Sequence, residues 1–179
     1  MILPTDRAMF QNAWVCDDLE AEMKKWTEQM KVGPWFVAEH DENITDVLYR
    51  GQPAELSMRV GLAQAGDIQI ELIQPTVDGP CAYRDTVKPG ELKFHHMCCW
   101  TDDIDADIDY YASLGFEAAN LAKAGDMRFA YFDTNPLMGC MIEVIERNDM
   151  AAMMFARIKE LGNNWDGNDP YRTVDQLFG

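Results

Sequence analysis

The hydrophobic and polar positions along the chain repeat with two different periods. Residues 9–16 (MFQNAWVC) read as a strand, whereas residues 18–31 have the spacing of an amphipathic helix. Asp17 or Asp18 is placed to cap this helix, which ends before Gly33-Pro34. Further strands are predicted at PWFVAEH, once or twice within 45–63, and at DIQIELIQP after a hairpin turn at Ala65-Gly66-Asp67. The order is strand, helix, then a run of strands.

The second half of the chain repeats this pattern. FQNAWVCDDLEAEMKKW at 10–26 reappears as HHMCCWTDDIDADIDYY at 95–111, and this alignment sets Gln11 against His96. Each copy later reaches a short strand with a carboxylate at the same place, Glu71 in IQIELIQP and Glu143 in CMIEVIER. The repeat predicts two βαβββ modules.

The module boundaries follow from these elements. The predicted divisions are a first module at 1–75, a linker at 76–92, a second module at 93–147, and a C-terminal helix and tail at 148–179. The second module begins with a strand at 93–101 and a helix at 103–114, and the C-terminal helix is predicted at about 149–161. The fold class is therefore α+β.

The amino-acid composition limits the kinds of molecule that the protein is expected to bind. Apolar residues make up 47% of the 179, so a sizeable core is expected, and the five cysteines are expected to be reduced thiols. A net charge of −16 disfavours nucleic acid and anionic membranes as partners because both are negatively charged. The start of the chain shows no signal-peptide pattern and no run is long enough to span a membrane, so a soluble, cytoplasmic protein is predicted.

Four residues at equivalent positions of the repeat point to a metal site. Gln11 and Glu71 come from the first module, and His96 and Glu143 from the second. Each carboxylate stands between aliphatic neighbours, where a buried acid would need a cation, a hydrogen-bond partner or a proton. One imidazole, one amide and two carboxylates suit a divalent ion such as Zn, Ni, Co, Mn or Fe. The alternative is that both glutamates lie on the solvated face of an open sheet.

Several stretches together resemble the vicinal oxygen chelate superfamily, which includes glyoxalase I, methylmalonyl-CoA epimerase, extradiol dioxygenases and bleomycin-resistance proteins. The stretches are QNAWVCDDLEAEMKKW, GPWFV, IELIQP, AYRDTVKPGELKFHHM, HHMCCWTDDID, LGFE and MIEVIE. The resemblance implies that the tandem modules form a cup-shaped mixed sheet. It also implies that one metal ion is held by the first and last strands of each module, at Gln11, Glu71, His96 and Glu143. His95 is one residue out of phase, and strand parity predicts that it faces away from the metal.

The resemblance also implies a chemistry. Enzymes of this kind bind two neighbouring substrate oxygens at the metal, and this stabilises an enolate next to a carbonyl. Glu143 is the first candidate for the catalytic base and Glu71 the second, on the opposite face. The expected protein is a metal-dependent isomerase, epimerase or glyoxalase-like lyase. Because aromatic and methionine residues are frequent near the predicted cup strands, its small-molecule substrate is expected to be apolar or aromatic.

Three other functions remain open at this point. An extradiol-type dioxygenase is disfavoured because Gln11 stands where those enzymes use histidine. A metal-free binding protein of the bleomycin-resistance type would fit the acidic charge, since those proteins trap a cationic drug. Purely structural metal binding is the last alternative. A monomeric cup is feasible because both halves of the site lie in one chain, but a homodimer is expected because modules of this kind leave exposed sheet edges.

Overall fold

The computed structural model describes residues 8–40 and 43–178, and within them eleven strands form one mixed sheet. The strands are β1 (Gln11–Val15), β2 (Trp35–His40), β3 (Ile44–Tyr49), β4 (Gln52–Pro53), β5 (Met58–Ala65), β6 (Ile68–Pro75), β7 (Lys93–Thr101), β8 (Ala118–Ala124), β9 (Met127–Phe132), β10 (Met141–Glu146) and β11 (Tyr171–Thr173). Their order across the sheet is β11-β2-β5-β6-β1-β7-β10-β9-β8-β3-β4. The α+β fold class predicted from the sequence is confirmed.

The two halves of the repeat have the same internal order. In the first half β1 lies beside its last strand, β6, in a parallel pair, and β5 and β2 follow outward. In the second half β7 lies beside β10 in a parallel pair, and β9 and β8 follow. The antiparallel pair of β1 and β7 joins the halves, so β6, β1, β7 and β10 are adjacent at the centre.

Two short additions cover the outer edges of this arrangement. The hairpin of β3 and β4 belongs to the first half by sequence, yet β3 pairs with β8 of the second half. At the other end, β11 of the C-terminal tail pairs with β2. The edges of β2 and β8, which two modules alone would leave exposed, are therefore partly covered within one chain. The boundaries 1–75, 76–92, 93–147 and 148–179 remain a prediction about domain organisation.

The repeated helices pack on one side of the sheet and begin at equivalent aspartates. They are α1 (Leu19–Lys25), which continues as a π-helical turn over Trp26–Met30, and α3 (Ile104–Ser113). Asp18 Oδ1 accepts a hydrogen bond from Ala21 N at 2.9 Å, and Asp103 Oδ1 accepts one from Ala106 N at 3.0 Å. These N-caps satisfy amides that the first helical turn leaves unpaired. The predicted ranges 18–31 and 103–114 therefore agree with the structure within one or two residues.

The opposite, concave side of the sheet holds two helices, α2 (Ala82–Thr86) in the segment between the halves and α5 (Asp149–Asn163). The short α4 (Asn135–Met138) lies in the connection between β9 and β10. Residues of α2 and α5 share a buried apolar cluster with residues of both halves, among them Tyr83 and Ile158. Helix α5 runs two residues beyond its predicted end and lies against β5 so closely that only a glycine, Gly162, fits over Gln64.

The cysteines and the helices test two of the predictions made from the sequence. Cys98 and Cys99 lie in two separate apolar clusters, as opposite faces of a strand require, and both thiols are buried. Along the described ranges 8–40 and 43–178, every helix is too short or too polar to cross a membrane.

Candidate metal centre

The four candidate ligands lie on the four adjacent central strands. Glu71 of β6, Ala13 of β1 and His96 of β7 occupy one row across the sheet. Gln11 of β1, Cys98 of β7 and Glu143 of β10 occupy the row two residues away. Side chains in these rows face the same side because the rows differ by one full strand period. The small residues Ala13 and Cys98 separate the larger polar ones, which leaves room between them.

Three of the four side chains approach one another closely. His96 Nε2 lies 3.2 Å from Glu71 Oε2 and 3.1 Å from Glu143 Oε2. One ligand atom from each of these residues lies within 4.8 Å of the others. His96 is fully buried and the Glu143 side chain is 6% exposed, so the carboxylates do not sit on a solvated face. The alternative of two surface glutamates is wrong for this fold.

Gln11 lines the same cavity and has one unsatisfied atom. Its Nε2 donates a hydrogen bond to Gln69 Oε1 at 2.7 Å, and its Oε1 is buried without a partner. Glu71 Oε2 and His96 Nε2 are also buried without a well-angled hydrogen bond. Buried polar atoms are seldom left unpaired, and three such atoms around one cavity fit a bound divalent cation. The donor set therefore suits the metal ion that the sequence predicted.

The ionisation of these groups reflects their burial. Burial raises the pKa of Glu71, an effect that its contact with His96 only partly offsets. Burial by itself would lower the pKa of His96, but the charge of Glu143 and the contacts with both carboxylates raise it to about 9. Two buried acids thus need a nearby positive charge.

His95 was predicted to face away from the metal, and that prediction is wrong. Ala13 of β1 pairs with His96, and the next residue, Trp14, pairs with Phe94, so His95 is the extra residue of a β-bulge. A bulge breaks the strict alternation of side chains. The His95 ring consequently lies on the same side as that of His96, 5.7 Å from the ring of Tyr131 between centroids.

A short chain of hydrogen bonds through His95 determines that Nδ1 of His96 carries a proton and that Nε2 faces the carboxylates. His95 Nε2 lies 3.0 Å from the carbonyl oxygen of Ala82, which can only accept, so this nitrogen carries the proton. Burial and the neighbouring His96 charge lower the pKa of His95 to about 3, and its Nδ1 is therefore an acceptor. His96 Nδ1 lies 2.9 Å away and donates to it. The remaining nitrogen, His96 Nε2, faces Glu71 and Glu143, as a metal-ligating histidine requires.

A cavity of about 80 Å³ adjoins these ligands. Its apolar wall includes the following side chains: Ile44, Met58, Val60, Leu62, Met127, Phe129, Ile145, Met154 and Phe155. Tyr83 and Tyr131 add two hydroxyl groups, 3.0 Å apart, and burial raises both phenol pKa values well above their ordinary range. The part of the wall that the structure describes contains no Lys or Arg. This surface suits an uncharged, apolar group beside the metal.

Some of the residues that form this cavity were not found from the sequence. Tyr83 lies in the segment that was read as a linker, and Met154 and Phe155 lie on the C-terminal helix. The aromatic residues on the strands divide between the two sides of the sheet: Phe129 and Tyr131 line the cavity, whereas Trp35 packs beneath α1 on the other side.

The fold shows the class to which this protein belongs, and a sequence match shows its family. The tandem βαβββ cup, with the candidate ligands on its four central strands, is the fold that the sequence resemblance implied. Residues 10–131 match the Glyoxalase/Bleomycin resistance protein/Dioxygenase superfamily, and the chain belongs to this family. The match ends before β10, so Glu143 lies outside the matched residues. No match was found among curated proteins.

Solved structures with the same fold include methylmalonyl-CoA epimerases. The enzyme from Mycobacterium tuberculosis has 14% identity and a TM-score of 0.57, with 86% of this chain and 95% of that chain covered. A methylmalonyl-CoA epimerase in complex with methylmalonyl-CoA and NH4+ has 16% identity and a TM-score of 0.56, with coverage of 83% and 97%. A hypothetical protein from Bacillus halodurans C-125 has 13% identity and a TM-score of 0.56, with coverage of 79% and 94%. At these identities the likeness establishes the fold.

Proposed function

We propose that the protein is a divalent-metal-dependent enzyme, an isomerase, epimerase or glyoxalase-like lyase that acts next to a carbonyl of an apolar or aromatic substrate. The observation that carries this proposal is the position of His96 Nε2, 3.2 and 3.1 Å from two buried carboxylates. Protein interiors rarely bring two acids and a histidine together without a charge that they hold. The epimerase activity of similarly folded proteins supports the same class of reaction.

Gln11, Glu71, His96 and Glu143 would hold the metal ion, which could be Zn, Ni, Co, Mn or Fe. When bound, the ion supplies positive charge that stabilises negative charge developing on a substrate oxygen. The side chains of the protein would hold that charge in a fixed position. The His95–His96 hydrogen bond holds the imidazole in place, and the apolar wall excludes water from the reacting carbon.

The two carboxylates are the groups that would move a proton. Glu143 is the proposed base, and Glu71, on the other side of His96, would serve the opposite face of the same carbon in an epimerisation. Glu55 is not proposed for this role because it is exposed and lies outside the described cavity wall.

Elemental analysis of protein purified without added metal tests the binding site. We expect about one divalent ion per chain in the wild type and loss of that ion in His96→Ala and Glu143→Ala. Glu55→Ala is the matched control, because it removes an exposed carboxylate outside the cavity. Wild-type metal content in both site variants, with folding retained, would refute the site.

Proton exchange tests the reaction. The metal-loaded protein in D2O should accelerate loss of the α-proton signal of an aromatic α-hydroxyketone such as 2-hydroxyacetophenone, as followed by proton NMR. Glu143→Gln keeps the size of the side chain but removes the base, and it should slow this exchange by at least a factor of about 100. Equal exchange rates in wild type and Glu143→Gln would contradict the assigned base.

A cytoplasmic location and a homodimer also remain proposals. The sheet ends in β11 on one side and in the β3–β4 hairpin on the other, so a dimer that forms by strand pairing would use these short strands. Light scattering coupled to gel filtration measures the mass directly, and a mass near 20.4 kDa would exclude the dimer.

A further inference from the structure

A second cavity lies between helix α5 and strands β5, β6 and β7, beside the candidate metal centre. It has a volume of about 240 Å³. Phe155 of α5 lines both this cleft and the smaller cavity at the metal ligands. Gln69, which lines the cleft, is hydrogen-bonded to Gln11 of the metal centre at 2.7 Å. The cleft is thus separated from the proposed reaction site by single side chains.

Three aromatic rings give the cleft its apolar surface. Phe10 stacks on Trp100 with centroids 4.9 Å apart, and Phe155 lies 5.7 Å from Phe10 and 5.4 Å from Trp100. Such a cluster offers flat surfaces on which another planar group can stack.

Two basic side chains line the same cleft. Arg147 lies over the Trp100 ring, with its Cζ atom 5.3 Å from the centroid, and Lys159 lies 2.8 Å from Asp67. Arg147 also pairs with Asp102 at 3.4 Å, but Asp102 is 83% exposed and does not line the cleft. The lining therefore carries two positive charges and one negative charge, Asp67, in a protein whose net charge is −16. Ion pairs between exposed side chains are weak, so a bound anion can replace these acidic partners.

We propose that this cleft binds a planar apolar group that carries one negative charge, and that it forms the outer part of the substrate site. The second part of this inference rests on the function proposed above. The metal-side cavity takes the uncharged carbonyl end of the substrate, and the cleft takes an aromatic part with a carboxylate or sulfonate beside Arg147 and Lys159. Phe155 would have to rotate to join the two spaces.

Binding of two fluorescent probes tests the cleft without any knowledge of the substrate. 1-Anilinonaphthalene-8-sulfonate carries an aromatic system and one negative charge, and N-phenyl-1-naphthylamine is the same system without the sulfonate. We expect the sulfonate to bind once per chain, and Arg147→Gln to weaken its binding about three- to tenfold while leaving the binding of the neutral probe unchanged. Arg128→Gln is the matched control, because Arg128 forms a surface pair with Asp105 away from this cleft and its loss should leave both probes unaffected.

The results of these measurements distinguish a failure of the proposed cleft from a failure of the proposed metal site. Equal affinity of wild type and Arg147→Gln for the sulfonate, or equal loss for both probes, would overturn the charge-selective cleft. Metal content measured on the same Arg147→Gln sample should equal that of the wild type. If His96→Ala loses its metal but keeps the charge-selective binding, the cleft is supported whether or not the proposed reaction is right.

Discussion

The Nδ1 atoms of His95 and His96 lie 2.9 Å apart, although the two residues are neighbours on one strand. Neighbouring side chains on a regular strand face opposite ways. The β-bulge at His95 removes that constraint and allows the first ring to support the second. Because His95 is in turn held by the Ala82 carbonyl, the linker helix α2 contributes to the orientation of His96 through His95.

Replacing His95 should weaken metal binding although His95 is not a proposed ligand. In His95→Leu, His96 loses the acceptor that holds its Nδ1 proton, and loss of such a supporting partner typically lowers metal affinity 10- to 100-fold. Titration of the metal-free protein with Co²⁺, followed by its visible absorption, measures this change. Glu55→Ala again serves as the control, since Glu55 is exposed and lies outside the described cavity wall. Unchanged Co²⁺ affinity in folded His95→Leu would show that the bulge has no such role.

Arg50 should stabilise the protein by joining three separate segments. Its Nη2 atom donates to Asp85 Oδ2 and to Asp133 Oδ2, each at 2.8 Å, and thereby connects the β3–β4 turn to α2 and to the end of β9. These groups are partly exposed, so Arg50→Gln should lower the free energy of unfolding by only about 1 kcal/mol. Urea denaturation of both proteins at pH 7 measures this difference. An unchanged denaturation midpoint would mean that hydrogen bonds to water replace the Arg50 contacts with no loss of stability.

The same contact predicts a pH dependence of stability. Burial would raise the pKa of Asp133, but hydrogen bonds from Arg50 and Asn135 outweigh it and hold the pKa below its ordinary value of 3.8. A carboxylate whose folded-state pKa is lowered stabilises the fold above its unfolded-state pKa, and this contribution disappears as the pH falls through the folded-state pKa. The difference in unfolding free energy between wild type and Asp133→Asn should therefore be largest near pH 6 and should shrink below pH 3.8. The same difference at both pH values would contradict the assignment.

Gly162 is expected to be required for the packing of α5. A Cβ atom at this position would lie 2.6 Å from Gln64 Cβ on β5, closer than non-bonded carbons can approach. An alanine inside a helix normally stabilises it, yet Gly162→Ala should destabilise the protein by about 1–3 kcal/mol because the helix must shift. Gly79→Ala is the control, since its nearest contact would be an ordinary 3.7 Å. A rise in thermal stability of Gly162→Ala would show that α5 is not held as closely as the structure indicates.

The repeat explains why the fold could be predicted from the sequence. Equivalent helices begin at Asp18 and Asp103, and the strands between them alternate with a period of two, so side-chain direction follows from position. That periodicity was sufficient to bring Glu71, His96 and Glu143 to one place.

Other features depend on contacts between distant segments, which no local pattern records. The bulge at His95 is visible only in the pairing of β7 with β1. The β3–β4 hairpin leaves its own half of the repeat to pair with β8, and α5 supplies Phe155 to the cavity from outside both modules. Local signals predicted α5 and one or two strands within 45–63, but they predicted neither the β3–β4 hairpin nor the way in which these elements dock on the sheet.

Anomalous X-ray diffraction from crystals grown with Co²⁺, recorded on both sides of the cobalt absorption edge, tests the central claim most directly. We expect one strong peak per chain, roughly 2.0–2.3 Å from His96 Nε2 and from oxygen atoms of Gln11, Glu71 and Glu143. A peak at another place, or no peak at these residues at saturating cobalt, would contradict it.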